Sequence, residues 1–470
     1  MIHRIITFIA LLLSIGQAAG AIGTDRKIAD AVDSADWLAL DSLRSCLPRD
    51  SISPMLEVYS RCMTGFWLNR PDEALGGFRE LFATHGSSLP PDMKLRSGVM
   101  FAMALSREGL NEAAHVTVDH LINDTVVPAA DKATLCELHE LAERYGALAA
   151  HTPYAIGFPA SERAVIPFTL INDGTGQDKG PLTMTSDVAA INGAPVRVVF
   201  NTGSALNIVT DSLASVLGLT PIGGNTSGPH LSLARELSLG DITVTDVPFM
   251  VIPSASGTLM RDCPMLGSEL LVRLKDITID FVNNTITVAT SPARRTSQRP
   301  NMCLAPDGTL LTSGRIADRD MLLGIDTGNR GYGTVNLPGA EPDIMPHGIR
   351  IDLGGSSVVT PEMDAGPAHR TPGGSIGLQG LMMFGKLHFN FTDMTLECHT
   401  PRISLNDFCK HKSTDIFNVP GSVIYRTVPQ PREKESVLST LAGALVGGAI
   451  TKLLIPSSDY WDNVSDFLSD

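Results

Sequence analysis

The chain is short of positive charge: 36 Lys and Arg stand against 50 Asp and Glu in 470 residues, a formal net charge of −14. No stretch concentrates its basic residues, so the cationic face that a phosphate backbone requires is missing and nucleic acid is excluded as a partner. Only seven cysteines occur (Cys46, Cys62, Cys136, Cys263, Cys303, Cys398, Cys409), and none has C-x-x-C spacing. That argues against a thiolate metal site or a thioredoxin-like centre. The twelve histidines show no H-E-x-x-H and no metal-ligand spacing, and there is neither a P-loop nor a dinucleotide fingerprint. No metal or other cofactor is therefore expected. Long apolar runs are confined to the two ends, and 470 residues imply roughly three domains.

The first run belongs to residues 1–21. His3 and Arg4 precede an apolar core from Ile5 to Ile15, and Ala18-Ala19-Gly20-Ala21 offers small residues for cleavage. This is the pattern of an export signal, so the mature chain is expected to be periplasmic or secreted. No cysteine lies near the cleavage region, which disfavours a lipoprotein anchor. In an oxidising compartment some thiols could pair, Cys46 with Cys62 or Cys398 with Cys409 for example, although the odd count leaves at least one unpaired in a monomer. The second run, Val437–Ile455, is interrupted by Ser439, Thr440, Thr451 and Lys452. A membrane helix needs about 20 apolar residues, so a helix docked on the body or on a partner is favoured over membrane contact. Residues 409–470 are read as a linker, Pro429–Glu435 included, followed by that apolar helix.

Residues 25–155 read as helical. Pro71-Asp72-Glu73 puts proline and acids where a helix begins, and Phe78, Leu81 and Phe82 continue one apolar face. A similar unit recurs at Glu108–Ala114, its Glu112-Ala113 lying 39 residues after Glu73-Ala74. The spacing resembles degenerate tetratricopeptide-type repeats, whose concave face suits a protein or peptide partner. A plain helical bundle packed on the next domain fits the same pattern.

From Ala164 onward short alternating runs are punctuated by Gly, Asn and Pro. Asn192-Gly193 signals a type I′ hairpin, and the strand Val196–Phe200 leads into Asn201-Thr202-Gly203-Ser204. Met321–Ile325 leads in the same way into Asp326-Thr327-Gly328-Asn329. Downstream, Leu266-Gly267 and Ile376-Gly377 stand 110 residues apart, as do Asp280-Phe281 and Asn390-Phe391, whereas the two loops stand 125 apart. The second half is an internal duplicate, shorter between its loop and its glycine. The expected lobes are 160–296 and 297–408.

Two apolar strands ending in N-T-G-S and D-T-G, each followed by an apolar-Gly pair, resemble a tandem retropepsin-like aspartic peptidase of the bacterial envelope type, over roughly Ala164–Leu405. The resemblance implies a multidomain α+β protein in which two all-β lobes, in a pepsin-like bilobal arrangement, follow the helical repeats. It also implies an extended peptide held between the lobes, with the flap of the first lobe in Leu231–Ile252. In the family two aspartates activate one water. Here Asn201 occupies one of those positions and Asp326 the other. An amide hydrogen-bonds water but does not accept its proton, and a missing acid–base group typically costs about 10²–10⁴-fold. Catalysis is therefore expected to be impaired or absent. Thr202 and Thr327 match the paired threonines that tie the loops together, and Gly203 and Gly328 allow a tight turn. Ser204 is placed to bond the side chain at 201. Asn329 departs from the usual small residue, and Arg330 adds a charge nearby. Three readings of Asn201 stand: a non-catalytic peptide-binding homologue, residual hydrolysis through Asp326, or a dimer pairing two copies of Asp326. Asp211 and Asp280 are substitute carboxylates only on paper. Gly373-Gly374-Ser375-Ile376-Gly377 satisfies G-x-S-x-G, yet the duplicated Ile-Gly explains it better.

Overall fold

Three of the N-terminal helices begin on proline: Pro54–Trp67, Pro71–Glu80 and Pro91–Arg107. Proline is suited to that position because the missing N–H has no partner within the helix. Asp72 and Glu73 then meet the positive end of the second helix dipole. The computed structural model describes residues 19–124, 132–161, 163–172, 182–224, 228–254, 263–289, 299–316, 319–335, 347–365 and 373–400. The apolar start of the expected export signal and the tail from residue 401, Cys409 and Val437–Ile455 included, lie outside them. Among the described residues no helix is long and apolar enough to cross a membrane.

Four further helices, Ala19–Asp33, Trp37–Cys46, Asn111–Asp124 and Lys132–Leu148, complete the helical part, and successive helices pack on one another. The two Glu-Ala pairs both fall at a helix start, in Pro71–Glu80 and Asn111–Asp124. Close crossings are set by glycine: a Cβ on Gly65 would overlap the backbone of Ala74, and one on Gly98 would strike Leu121. Arg70 grips Asp41 through both carboxylate oxygens at 2.5 and 3.1 Å, and Arg44 lies 2.5 Å from Glu73. These pairs tie Trp37–Cys46 to the helices after it. Cys46 and Cys62, offered above as a disulfide, are separate free thiols, the first exposed and the second buried. Burial pushes the Cys62 thiol far above its usual range.

The β part begins at β1 (Ala155–Gly157), paired with Thr243–Thr245. In the first half, β4 (Leu182–Ile191) and β5 (Ala194–Phe200) form the hairpin announced by Asn192-Gly193, whose φ values are +52° and +83°. β5 runs parallel to β10 (Met265–Leu266), which pairs with β6 (Asn207–Thr210), itself parallel to β9 (Ile242–Ile252). β9 pairs with β8 (His230–Leu239), and β8 returns to β4, so the six strands close a ring. The second half repeats these pairings: β14 (Leu310–Ile316) with β15 (Arg319–Asp326), then β15 parallel to β20 (Gly374–Gly377). β20 pairs with β16 (Gly333–Val335), β16 runs parallel to β19 (Asp364–Ala365), and β17 (His347–Leu353) joins β18 (Ser356–Glu362) to β14. β18 and β19 together stand where β9 stands in the first half.

A third sheet joins the halves in the order β2 (Arg163–Pro167), β12 (Thr285–Ala289), β11 (Asp276–Asp280), β21 (Lys386–Asn390), β22 (Thr395–His399). β11 and β21 are antiparallel, with Asp276 opposite Asn390, Thr278 opposite His388 and Asp280 opposite Lys386. Thr278 therefore faces the residue 110 positions after it, and the flanking pairs interchange under the same offset. The halves are thus related by a local two-fold axis between Thr278 and His388. One hydrophobic core runs from Ile28 in the first helix through Phe281 to Leu396. A smaller cluster gathers Leu206, Leu231, Met250 and Met265 around Leu148, the last residue of helix Lys132–Leu148. The helical part is docked beside the Asn201 loop and also reaches the second half, where Arg107 donates to Ala305 O at 3.1 Å.

Candidate active site

The two loops interlock through their threonines. Thr202 Oγ1 donates to Ile325 O (2.7 Å) and accepts from Thr327 N (3.0 Å). Thr327 Oγ1 donates to Phe200 O (3.0 Å) and accepts from Thr202 N (3.0 Å). Both threonines are 1% exposed, so the four bonds are made without competing water. Each strand end is held in the partner loop, and the residues at 201 and 326 are brought to equivalent places about the two-fold axis.

The glycines explain how close that approach is. A Cβ on Gly203 would overlap the Asp326 carboxylate, and a Cβ on Gly328 would overlap the Asn201 amide. Each side chain thus lies across the glycine of the opposite loop. Asp326 Oδ1 accepts from Gly328 N (2.9 Å) and Asn329 N (3.0 Å), and Asn201 Oδ1 accepts from Gly203 N (2.9 Å). The Asn201 amide nitrogen points to Met265 Sδ at 2.9 Å, a soft and weak acceptor. Asn201 and Asp326 are half-buried, and Gly328 is exposed, so the pair is reachable from solvent.

Behind each loop runs the predicted apolar-Gly segment. Leu266 pairs with Phe200 and its carbonyl accepts from Asn201 N at 2.9 Å; Ile376 and Gly377 pair with Ile325 and Asp326. A Cβ on Gly267 would overlap the carbonyls of Ala205 and Leu206, and one on Gly377 those of Gly331 and Asn329. Here glycine is required by backbone contact. Ser375 lies within β20, opposite Gly324 and Thr334. The short helix Leu378–Met382 does follow that strand, but the serine is not at the bend between them, and the G-x-S-x-G match carries no nucleophile elbow.

Two expectations are corrected, those for Ser204 and for Leu231–Ile252, and Asn329 gains a role. Ser204 meets residue 201 through the backbone, its N–H donating to Asn201 O at 3.4 Å, while its hydroxyl donates to Leu206 O at 3.0 Å. Asn329 supports its loop, its Oδ1 accepting from Gly331 N at 3.0 Å. The stretch Leu231–Ile252 is not the covering hairpin. Its tip, Gly240-Asp241, turns toward the base, where Gly240 N bonds Val188 O at 3.0 Å beside the central sheet. The free-edge hairpin is the one before it, from β7 (Thr220–Pro221) into β8, closed by Ile222 N on Leu231 O at 2.9 Å. Gly223 and Gly228 take φ values of +90° and +113° there.

Neither paper substitute for the missing carboxylate reaches the loops. Asp211 opens the helix Asp211–Val216 and bonds Ser254 and Ser212, which hold its carboxyl below the usual range. Asp280 bonds Asn283 and Lys386; burial opposes its charge, but these contacts outweigh it and keep the carboxyl low. The sequence reading missed Asn207, which is 1% exposed. Its Oδ1 accepts from Gly267 N (3.0 Å), and its Nδ2 donates to Pro248 O (3.0 Å) and Tyr154 Oη (3.1 Å). A single amide in the buried strand Asn207-Ile208-Val209-Thr210 was the available signal.

Set against known proteins, residues 188–270 match the family model described as Aspartyl protease. Two solved structures share features of the chain. A retropepsin-like aspartic protease from Rickettsia conorii is 16% identical, covering 29% of this chain and 92% of that one at a TM-score of 0.19. Basic 7S globulin from soybean is 11% identical, covering 53% and 96% at 0.34. Among curated proteins there is no match. The family match covers β5, the Asn201 loop and Leu266-Gly267 together, and with the strand pairings described it supports an aspartic-peptidase fold.

Proposed function

We propose that this is an exported, tandem retropepsin-like peptidase homologue that binds an extended peptide between its two lobes, with hydrolysis impaired or absent because Asn201 replaces one carboxylate of the pair. The observation that carries this reading is the intact interlock. Thr202, Thr327, Gly203 and Gly328 keep the geometry that brings two side chains together, while one of those side chains is an amide. A peptide added along the free-edge hairpin would gain main-chain pairing. Asp326 remains as the single acid or base, and the second proton-transfer group is missing. The helical part fits a degenerate tetratricopeptide-like module that offers a second surface to a protein partner, and residues 1–21 direct export. A binding scaffold of the cell envelope that never cleaves uses the same groove.

The test is peptide-bond cleavage by the mature chain beside Asn201→Asp across pH 3 to 8, on a mixed peptide library, with Asp326→Asn as the blank. Restoring the second carboxylate is expected to raise cleavage by about 10²–10⁴-fold. If the natural chain cleaves as fast as Asn201→Asp and loses that activity in Asp326→Asn, the impairment reading is wrong. If Asn201→Asp stays inactive, Asn201 is not the sole defect.

A further inference from the structure

We infer that the last turn of the helix Lys132–Leu148 is a built-in occupant of the apolar face beside Asn201, which a bound peptide must displace. The inference rests on the peptide-binding reading above and adds to it a means of regulation, an autoinhibitory contact made by the helical part.

Strand register lays the face out. On β5, Val199 stands two residues before Asn201 and is paired with Met265. Met265 is paired with Ile208, Ile208 with Met250, and Met250 with Leu231. Five neighbouring strands thus carry one apolar row, and it starts at the site, where the Asn201 amide nitrogen lies 2.9 Å from Met265 Sδ. Side chains alternate between the two faces of a strand, and the flanking residues Val198, Phe200, Leu266, Phe249 and Val251 belong to the main core. The row therefore stands on the opposite face, outside the ring and toward the side chain of Asn201.

An apolar row facing water would be an exposed patch of the kind that marks a binding surface. Here all five of its residues are buried, none more than 8% exposed. Among the described residues, the one member of this cluster that the helical part supplies is Leu148, itself 4% exposed. Beside it Ala147 meets the free-edge hairpin, 3.5 Å from where a Cβ on Gly223 would lie. An extended peptide against the Asn201 loop needs this face for its alternate side chains, so peptide and Leu148 compete for it. The row is nevertheless reachable. Leu206, Leu231 and Met250 also line an open cleft of about 1250 Å³ beside Ala205, walled by the helical part and both halves.

Only a short segment has to move. Tyr145, three residues before Leu148, is fixed in the main core. Tyr154, six residues after it, is anchored by its hydroxyl to Asn207 Nδ2 (3.1 Å) and by its N–H to Asp246 O (3.3 Å). Between these two points lie Gly146, which gives the backbone freedom, and the exposed Ala149 and Ala150. The last turn can lift while both tyrosines stay in place.

The test uses the mature full chain and fluorescein-labelled decapeptides from a mixed library, with two leucines or two serines at the centre, read by fluorescence anisotropy. Leu148→Ala and Leu148→Ser should bind the leucine peptides about tenfold or more tightly than the natural chain, because the binding-competent state is no longer taxed by the occupant. Leu148→Met, which keeps the volume, should stay within about twofold. The truncating variants should also melt earlier than the natural chain. A residue that only supports the fold would lower stability and affinity together, whereas an occupant lowers the first and raises the second. In the natural chain, saturating peptide should quicken amide hydrogen exchange at residues 146–148, a readout that needs no variant to fold. Unchanged or weaker peptide binding by the truncated variants, or exchange at 146–148 that peptide leaves unchanged or slows, overturns the inference and leaves the groove reading standing. Absence of binding by the natural chain and every variant overturns both.

Discussion

Thr202→Val tests the interlock because it removes one oxygen and changes the shape little. In the native chain that oxygen donates to Ile325 O and accepts from Thr327 N, within a site where both threonines are 1% exposed. Valine leaves a carbonyl and an N–H buried and unpaired, at about 1–3 kcal/mol each. The added methyl returns roughly 0.8 kcal/mol through burial. The net loss should be about 1–5 kcal/mol, and Thr327→Val should match it, since its bonds to Phe200 O and Thr202 N are the mirror set. In the double variant the second loss should be smaller than the first, because loosened loops admit water to the remaining groups; a coupling of about 0.5 kcal/mol or more is expected. Urea unfolding followed by far-UV circular dichroism measures this, with an unchanged m-value guarding against a change of mechanism. Single variants within about 0.5 kcal/mol of the natural chain would refute the claim that these bonds hold the two loops together.

Gly267→Ala should destabilise more than an ordinary surface change, because its Cβ meets the carbonyls of Ala205 and Leu206 and backbone must shift; a melting temperature equal to that of the natural chain would count against the close approach. Asp33 is pushed up to about 6 by burial, with the charge of Asp30 adding to it. A carboxyl raised in the folded state favours folding below its unfolded value of 3.8, and that advantage is lost as pH rises through about 6. Asp33→Asn should therefore gain stability relative to the natural chain between pH 4 and 7, by at most about 3 kcal/mol before solvent screening; a pH-independent difference would refute the assignment. Cys46 and Cys136 are exposed, whereas Cys62, Cys303 and Cys398 are buried, with burial pushing Cys303 and Cys398 up to about 12. Alkylation mapped by mass spectrometry should mark the first two in the native state and the other three only after unfolding, and a Cys46–Cys62 disulfide in the purified protein would contradict the structure.

The legible parts of the sequence were those where one local rule decides. Asn192-Gly193 specifies its own turn, Pro71 its own helix start, and the 110-residue offset makes β21 the counterpart of β11 and β22 the counterpart of β12. The loops could be read because a strand, a threonine and a glycine recur together. Which hairpin has a free edge was not legible. Leu231–Ile252 has the stronger strand pattern, but its tip at Gly240 meets Val188 of β4 and Val165 of β2, which lie far earlier in the chain. The free-edge hairpin offers only the two-residue strand Thr220-Pro221 before β8, too short for a period-2 pattern. The cleft beside Ala205 was invisible for the same reason: its walls come from the helical part and both halves and meet only after the helices dock.

The central sheet bears on the remaining reading of Asn201, in which two chains would pair Asp326 with Asp326. β11 presents Asp276, Thr278 and Asp280, while β21 presents Lys386, His388 and Asn390 on the same face. Lys386 lies 3.0 Å from Asp280, and His388 lies 3.0 Å from Asp276. The two-fold axis therefore relates backbones but joins unlike side chains, two aspartates on one strand and a lysine and a histidine on the other. Pairing a second half with another second half would set His388 against His388 and place Lys386 opposite Asn390. It would give up the Lys386–Asp280 ion pair and the His388–Asp276 contact and strip β11 of its partner, leaving the buried Asp276 and Asp280 without these partners. Opposite charges facing across strands favour one pairing partner over another. The same two strands that bring Asn201 and Asp326 together thus select the neighbouring lobe of the same chain, and an Asp326 dimer would have to break that sheet first.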